Sequence, residues 1–395
     1  MCWNLEKCPL FFYISITMET KNVDLAKILI VDDSRVFRSI LEKVISTLPG
    51  VQVVGAVPSG LAAIEFLRIR AVDLMTLDVE MPELDGLQTL KKMLECKAEL
   101  KAVPEVLMVS SLTRSGSDTT LKALECGAFD FIAKPPPEAP NSQESLSRML
   151  HTAITGWISR RGRGIRHSPA ARIVTGSPGA AAASTSPTGF TYTLTKGVFV
   201  KPVMAIVMGV STGGPKSLAD MLPKLCTLTH LPILLVQHMP PNFTKSLADS
   251  LSLKCAHTVV EGLPGTVVKD KTIYIAPGGN HMTVRTRGAE FVLENNQDPP
   301  ENGCRPAVDV LFRSAAAAYP PDSLIGVILT GMGCDGTPSL PNLKNKNAYL
   351  IAQDEETSVV FGMPRAAAAT GLLHKVAPLM RVPEAIVERI NMGKK

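Results

Sequence analysis

The chain has 395 residues, 45% of them hydrophobic, and a formal net charge of +5 at pH 7. That length is too great for one core, so two domains are expected, and so small a charge excess excludes the strongly basic signature of a nucleic-acid binder. No apolar stretch reaches the roughly 20 residues needed to cross a bilayer, so no direct membrane insertion is expected, and eight scattered cysteines with no C-x-x-C spacing read as reduced cytoplasmic thiols rather than a disulfide frame or a zinc site.

Residues 1–26 read as an N-terminal extension. PLFFYISIT has the length of a short export-signal core, yet no small-x-small cleavage site follows it, and its basic flank is only Lys7 beside Glu6. Met18 then opens a polar stretch that runs straight into the first strand. The extension is expected to be a disordered tail or an over-extended start.

Over 27–158 strands alternate with helices. KILIVDD is a short apolar run ending in two acids. Phe37, Ile40, Leu41, Val44 and Ile45 share one face of a helix over Arg35–Ile45. VQVVGAV, VDLMTLD, EVLMVSS and FDFIA supply four further strands, with helices at Ser59–Arg70 and Gly86–Cys96. Continuous apolar strands in βα units imply a doubly wound parallel sheet. A last helix is expected over Asn141–Ile158, opened by Asn141 with Glu144 in a capping-box arrangement. Leu146, Met149, Leu150, Ile154, Trp157 and Ile158 form its apolar face.

Residues 159–200 begin RRGRGIR and continue as SPAARIVTGSPGAAAASTSPTG. Such Ala, Ser, Gly and Pro-rich chain buries little and reads as a flexible linker. Strand–turn–helix alternation resumes over 201–392, a second α/β domain of Rossmann-like, doubly wound type.

Two sets of polar residues fall at the carboxyl ends of strands, where open α/β sheets carry out chemistry. In the first domain Asp32 and Asp33 end strand one and Asp78 ends strand three. Three carboxylates at one point repel unless a divalent cation neutralises them, and an oxygen-only, incomplete ligand set suits Mg²⁺. A carboxylate there can attack a phosphoryl donor to form an acyl phosphate. Lys134 and Ser110, at the ends of strands five and four, can meet the phosphoryl oxygens.

The strings ILIVDDS, LDVEMPELDGL, VSS and FIAKP resemble those of a response-regulator receiver domain. The resemblance implies Asp78 as phosphoacceptor, Asp32, Asp33 and Asp78 as the Mg²⁺ site, Ser110 and Lys134 as switch contacts, and Phe131 near the aromatic switch position.

In the second domain Gly209-Val210-Ser211-Thr212-Gly213 fits G-x-S-x-G after a strand. Such a turn lifts a serine above the sheet beside helical N–H groups. The motif alone serves equally as an anion cradle opening a helix. His238, at the end of ILLVQ, adds a base able to take the hydroxyl proton. Asp335, after ILTGMG, can hold the imidazole at its Nδ1–H. The chain order Ser…His…Asp is not that of the α/β-hydrolases.

VMGVSTGGPKSL, QHMPPNFTKSLADSL, YIAPGGNHM, RPAVDVLFRSAA, ILTGMGCDG and IAQDEETSVVFGMPRAA resemble the catalytic domain of the chemotaxis protein-glutamate methylesterases, the CheB family. This implies a phosphorylation-regulated serine esterase with Ser211 as nucleophile, His238 as base and acid, and Asp335 as its orienting partner. Thr212 and Met332 fall where the active site is lined near the oxyanion. The implied substrates are glutamate methyl esters on chemoreceptors, with receptor glutamines as a second class. A histidine kinase is the implied phosphodonor, and the esterase reaction itself needs no cofactor. One departure follows Asp335: TPSLPNLKNKNAYL carries Pro338 and Pro341, which should shorten or kink the next helix and could loosen Asp335. A receiver-gated hydrolase of another protein, or a catalytically weak phospho-dependent adaptor, are the readings that compete.

Overall fold

The computed structural model describes residues 25–111, 113–135, 142–161, 183–186 and 188–393. The extension before Leu25, the Asn141 cap and the centre of the expected linker lie outside them.

The first sheet takes β1 (Ala26–Val31), β2 (Val51–Val57), β3 (Leu74–Asp78), β4 (Glu105–Ser110) and β5 (Asp130–Ala133). They pair in parallel in the order β2-β1-β3-β4-β5. β3 is buried along its whole length, which is why its sequence is continuously apolar rather than alternating. Around the sheet lie α1 (Arg35–Ile45), α2 (Gly60–Ile69), α3 (Gly86–Glu95), α4 (Arg114–Glu125) and α5 (Ser142–Arg161). Ser34 caps α1 by accepting from Phe37 N–H at 3.3 Å. Asp85 and Gln88 form a reciprocal capping box on α3. On α5, Leu146, Leu150, Ile154 and Trp157 are buried against Ile28 and Ile30, while Met149 and Ile158 are only partly covered. Each fully buried apolar side chain contributes about 1.5–3 kcal/mol.

The expected linker is not uniform. β6 (Ala183–Thr185) and β7 (Thr191–Thr193) form an antiparallel hairpin. Phe190 meets Phe361 edge-on at 6.3 Å, and the Arg365 guanidinium lies over the Phe190 ring at 5.2 Å. Phe199 is buried against Tyr349 and His374. Aromatic residues within a polar, small-residue stretch supply enough apolar area to dock it, so residues 188–200 lie on the second domain instead of forming a free tether.

The second sheet has seven parallel strands in the order β10-β11-β9-β8-β14-β15-β16. They are β8 (Ala205–Val210), β9 (Ile233–Gln237), β10 (Thr258–Glu261), β11 (Thr272–Ile275), β14 (Leu324–Ile328), β15 (Tyr349–Gln353) and β16 (Lys375–Ala377). The helices are α6 (Gly214–Leu228), α7 (Phe243–Ser252), α8 (Val308–Ala318), α9 (Leu340–Asn345), α10 (Met363–Ala369) and α11 (Val382–Met392). The expected alternation breaks between α7 and α8: no helix separates β10, β11, β12 (His281–Arg287) and β13 (Glu290–Asn296), and the last two form an antiparallel hairpin. A buried ion pair ties α11 to the base of β14: Arg389 donates to Asp322 Oδ1 at 2.7 Å, and Asp322 Oδ2 accepts from the N–H groups of Val200 and Lys201.

The two domains touch. α4 packs on α7, where the Ser117 and Ser246 hydroxyls lie 3.0 Å apart and Ser246 donates to Asp118. Glu125 accepts from Ser250 and pairs with Lys254, each at 2.7 Å.

Candidate active site

In the second sheet β8 lies between β9 and β14, so the chain leaves β8 in opposite directions at its two neighbours. The crevice above such a switch point is where side chains from separate connections converge. Ser211 follows β8, His238 follows β9, and Asp335 lies on the long turn after β14. Gly213 caps α6 with φ +73°, and a Cβ there would meet Val359 at 2.4 Å. This is the left-handed position that makes the glycine of G-x-S-x-G necessary. Gln237 Nε2 donates to the Ser211 carbonyl at 3.0 Å and to the His238 carbonyl at 3.3 Å. It holds the two turns together.

His238 and Asp335 pair at 2.8 Å, but through Nε2 and Oδ2. The expectation that Asp335 would hold Nδ1 is corrected by this geometry: the ring enters from the β9 end with Nε2 toward the α8 turn. Nδ1 is therefore the nitrogen free for chemistry, and it faces Cys304 Sγ at 3.6 Å. Burial alone would pull the His238 pKa down. The bonds to Asp335 and Cys304 outweigh it and push it up to about 10.

Asp335 is not loosened by the prolines that follow it. α9 is cut to six residues with Pro341 in its first turn, as expected. Yet Oδ1 accepts from Asp309 N–H at 3.1 Å, Gly336 N–H at 2.9 Å and Asn302 Nδ2 at 3.0 Å. Oδ2 accepts from Val308 N–H at 2.7 Å besides His238. The first N–H groups of α8 thus point at the carboxylate, where the helix dipole also favours an anion. Burial pushes its pKa up, and these bonds reverse that and hold it at about 2.

Ser211 and Thr212 line a cleft of about 490 Å³ with His238 and Cys304, and receiver residues Asp130–Ala133 and Arg148 form its other wall. Met332 is not among the residues lining the cleft. It sits in the turn beyond Gly331, whose own Cβ position lies 2.7 Å from Ser211 Cβ. Sequence reasoning missed Gln237, Asn302, Cys304 and Asp309. Asp309 is fully buried, accepts from Asn302 at 2.8 Å, and is raised to about 6, first by burial. The family string RPAVDVLF contained Asp309; nothing local marks Asn302 or Cys304.

In the first domain Asp32, Asp33 and Asp78 bring carboxylate oxygens within 4.8 Å of one another. Lys134 Nζ lies 2.8 Å from Asp32 and 2.6 Å from Asp78. Burial raises Asp78; Lys134 opposes this and Asp32 adds to it, leaving it at about 6. Ser110 ends β4 fully buried, and its hydroxyl donates to the Ser111 carbonyl at 3.2 Å. Phe131 points away from these acids and stacks on Phe243 of the other domain, with ring centroids 4.6 Å apart.

Comparison with known proteins agrees with both halves. Residues 206–386 match the family model of the CheB methylesterase, and residues 28–141 that of the response regulator receiver domain. A protein-glutamate methylesterase/protein-glutamine glutaminase of Desulfotalea psychrophila is 39% identical over 93% of this chain and 99% of its own. One from Thiobacillus denitrificans is 39% identical over 92% and 96%. The solved CheB methylesterase catalytic domain of Thermotoga maritima is 41% identical, covers 47% of this chain and 98% of that one, and aligns with a TM-score of 0.46.

Proposed function

The chain belongs to the CheB methylesterase family, with a receiver domain ahead of its esterase, and on that premise we propose that Ser211, His238 and Asp335 hydrolyse glutamate methyl esters on chemoreceptors under control of Asp78. The observation that carries the reading is that Ser211 and His238, at the ends of β8 and β9, line one cleft, with Asp335 bonded to His238 at 2.8 Å.

In this reading Nδ1 of His238 takes the Ser211 hydroxyl proton as the oxygen attacks the ester carbonyl. Asp335, anchored by five donors including His238, holds the ring and offsets the imidazolium charge. The Thr212 N–H is the oxyanion donor in this reading, while the Gly213 N–H is taken by the Asp130 carboxylate of the receiver. The proton on Nδ1 passes to the departing methoxide, and methanol leaves. Water, deprotonated by the same nitrogen, releases the glutamate. With a glutamine side chain the leaving group is ammonia and the steps are otherwise the same.

The receiver acids fit Mg²⁺: the donors are all oxygens and Asp33 is exposed, leaving room for water and phosphoryl oxygens. When bound, the ion neutralises charge on the transferred group. Asp78 is the nucleophile toward a phosphodonor, a histidine kinase being the partner in this reading. Lys134, between Asp32 and Asp78, would follow the new phosphoryl charge, and Ser110 would hydrogen-bond it. Because Phe131, Arg148 and the Asp130 strand wall the cleft over Ser211, the unphosphorylated receiver limits access, and phosphorylation relieves it. Residues 27–158 and 201–392 then act as switch and enzyme, with 188–200 docked on the enzyme. No described helix is long and apolar enough to cross a membrane. In this reading the protein acts in the cytoplasm, on the cytoplasmic part of the receptors.

The direct test is methanol release from methylated chemoreceptor membranes with and without a small phosphodonor. No methanol under either condition would refute the esterase reading.

A further inference from the structure

We propose that Phe37 is a positioning residue of the phosphorylation site: its ring holds the Lys134 ammonium beside Asp78, where negative charge gathers during phosphoryl transfer. The inference rests on the reading of Asp78 as phosphoacceptor, and it gives a role to a residue that the helix pattern marks only as core.

Lys134 Nζ donates to Asp78 Oδ2 at 2.6 Å and lies 2.8 Å from Asp32 Oδ2. It also lies 4.5 Å from the centroid of the Phe37 ring. An aromatic face attracts a cation within about 6 Å of its centroid, and it does so without claiming an N–H. Ring and carboxylates therefore do not compete for the lysine. Packing alone does not require this placement. Leu41 and Ile45 are the buried positions of α1, whereas Phe37 is only half-buried, in its first turn. That turn is fixed from two sides. Ser34 Oγ accepts from Phe37 N–H at 3.3 Å, and Arg38 Nη1 donates to the carbonyls of Asp32 and Asp33 at 2.7 and 2.9 Å. The loop that carries two of the acids thus also sets the ring, and Lys134 reaches it from the end of β5. A lysine head rides on a long flexible stem. A ring against it removes much of that freedom before the reaction, which is how prearranged charge lowers a barrier.

Phosphoramidate is a phosphodonor small enough to need no partner protein. An Asp78 carboxylate oxygen bonds to phosphorus as the phosphorus–nitrogen bond breaks, and the protonated nitrogen leaves as ammonia. Asp78 loses its free carboxylate in this step, while the ring keeps its hold on Lys134 until the phosphoryl charge has arrived.

The test follows labelling of Asp78 by phosphoramidate in the full chain, in buffer containing Mg²⁺. Phe37→Leu keeps the bulk and loses the ring, and should be labelled about 3–10-fold more slowly, as loss of one cation–π contact implies. Phe37→Tyr keeps the ring and should keep the wild-type rate. In Lys134→Met, adding Phe37→Leu should slow labelling no further, because the two residues act through one contact. A second measurement needs no phosphorylation: NMR of the chain with its lysines isotope-labelled at Cε. The ε-methylene signal that is missing from Lys134→Met should be shifted upfield by the ring in wild type and in Phe37→Tyr, and not in Phe37→Leu. A wild-type labelling rate in folded Phe37→Leu would overturn the proposal. So would an equal slowing by Phe37→Leu in Lys134→Met, or a Lys134 signal with no upfield shift in wild type. Absence of Asp78 labelling in wild type would instead count against the phosphoacceptor reading, with the lysine signal still deciding this one.

Discussion

Phe131, in the last strand of the receiver, stacks on Phe243, the first residue of α7, with ring planes 11° apart. The stack joins a strand whose end carries Lys134 to the helix that follows the His238 turn. Any shift of Lys134 toward a phosphoryl group on Asp78 pulls on the strand that holds the stack. Such a pair is worth about 0.5–1.5 kcal/mol beyond its area. Phe131→Ala should therefore raise methanol release by the unphosphorylated protein about 2–10-fold, by that same energy, with little change once phosphorylated. An unchanged basal rate would mean the stack does not hold the closed arrangement.

Ser211→Ala should lose about 10⁴–10⁶ in kcat with both domains folded. His238→Ala should lose about as much, and the double variant little more, because the two act as a unit. Methanol release assays on the three proteins decide this. Retention of more than about a tenth of the rate by Ser211→Ala, against that expected loss, removes it from the nucleophile role.

The pH profile follows from His238. Its free base must accept the serine proton, and its pKa is lifted to about 10 by Asp335 and Cys304 against the pull of burial. kcat/KM should rise with pH through the alkaline range toward that value. Asp335→Asn removes the charge that favours imidazolium, so the rising limb moves to lower pH while its plateau falls by about 10⁴. A limb that stays in place in Asp335→Asn would show that Asp335 does not set it.

Asp78→Asn should abolish labelling by small phosphodonors and the accompanying rise in esterase activity, with basal activity intact. Asparagine keeps the shape but cannot attack phosphorus. Chelating Mg²⁺ in the wild type should have the same effect. A full response of Asp78→Asn to phosphodonor would put the phosphoacceptor elsewhere.

Asp322→Ala should destabilise the esterase domain by about 3–5 kcal/mol, since it strands the buried Arg389 guanidinium and frees the N–H groups of Val200 and Lys201. Denaturant unfolding followed at the esterase domain measures it. A change below about 1 kcal/mol, the worth of an exposed pair, would show that the pair is effectively solvated.

The strands and most helix ends were legible in the sequence because they are local. β3 and β8 are covered on both faces and must be continuously apolar, and Ser34 and Asp85 are caps within three residues of the N–H groups they satisfy. The residues that end those strands were legible too: Ser211, His238, Asp335 and Asp78 each follow an apolar run, and a parallel sheet has one carboxyl edge. Only the tertiary structure decided that Asp335 meets Nε2 rather than Nδ1, that Cys304 meets the ring and Asn302 the acid behind it, that Phe131 leaves its own domain for Phe243, and that the chain around Phe190 and Phe199 docks. Each of these joins segments separated by tens of residues, through loops without periodicity. Such contacts are fixed by where the sheets place the loop ends, not by the residues beside them in the chain.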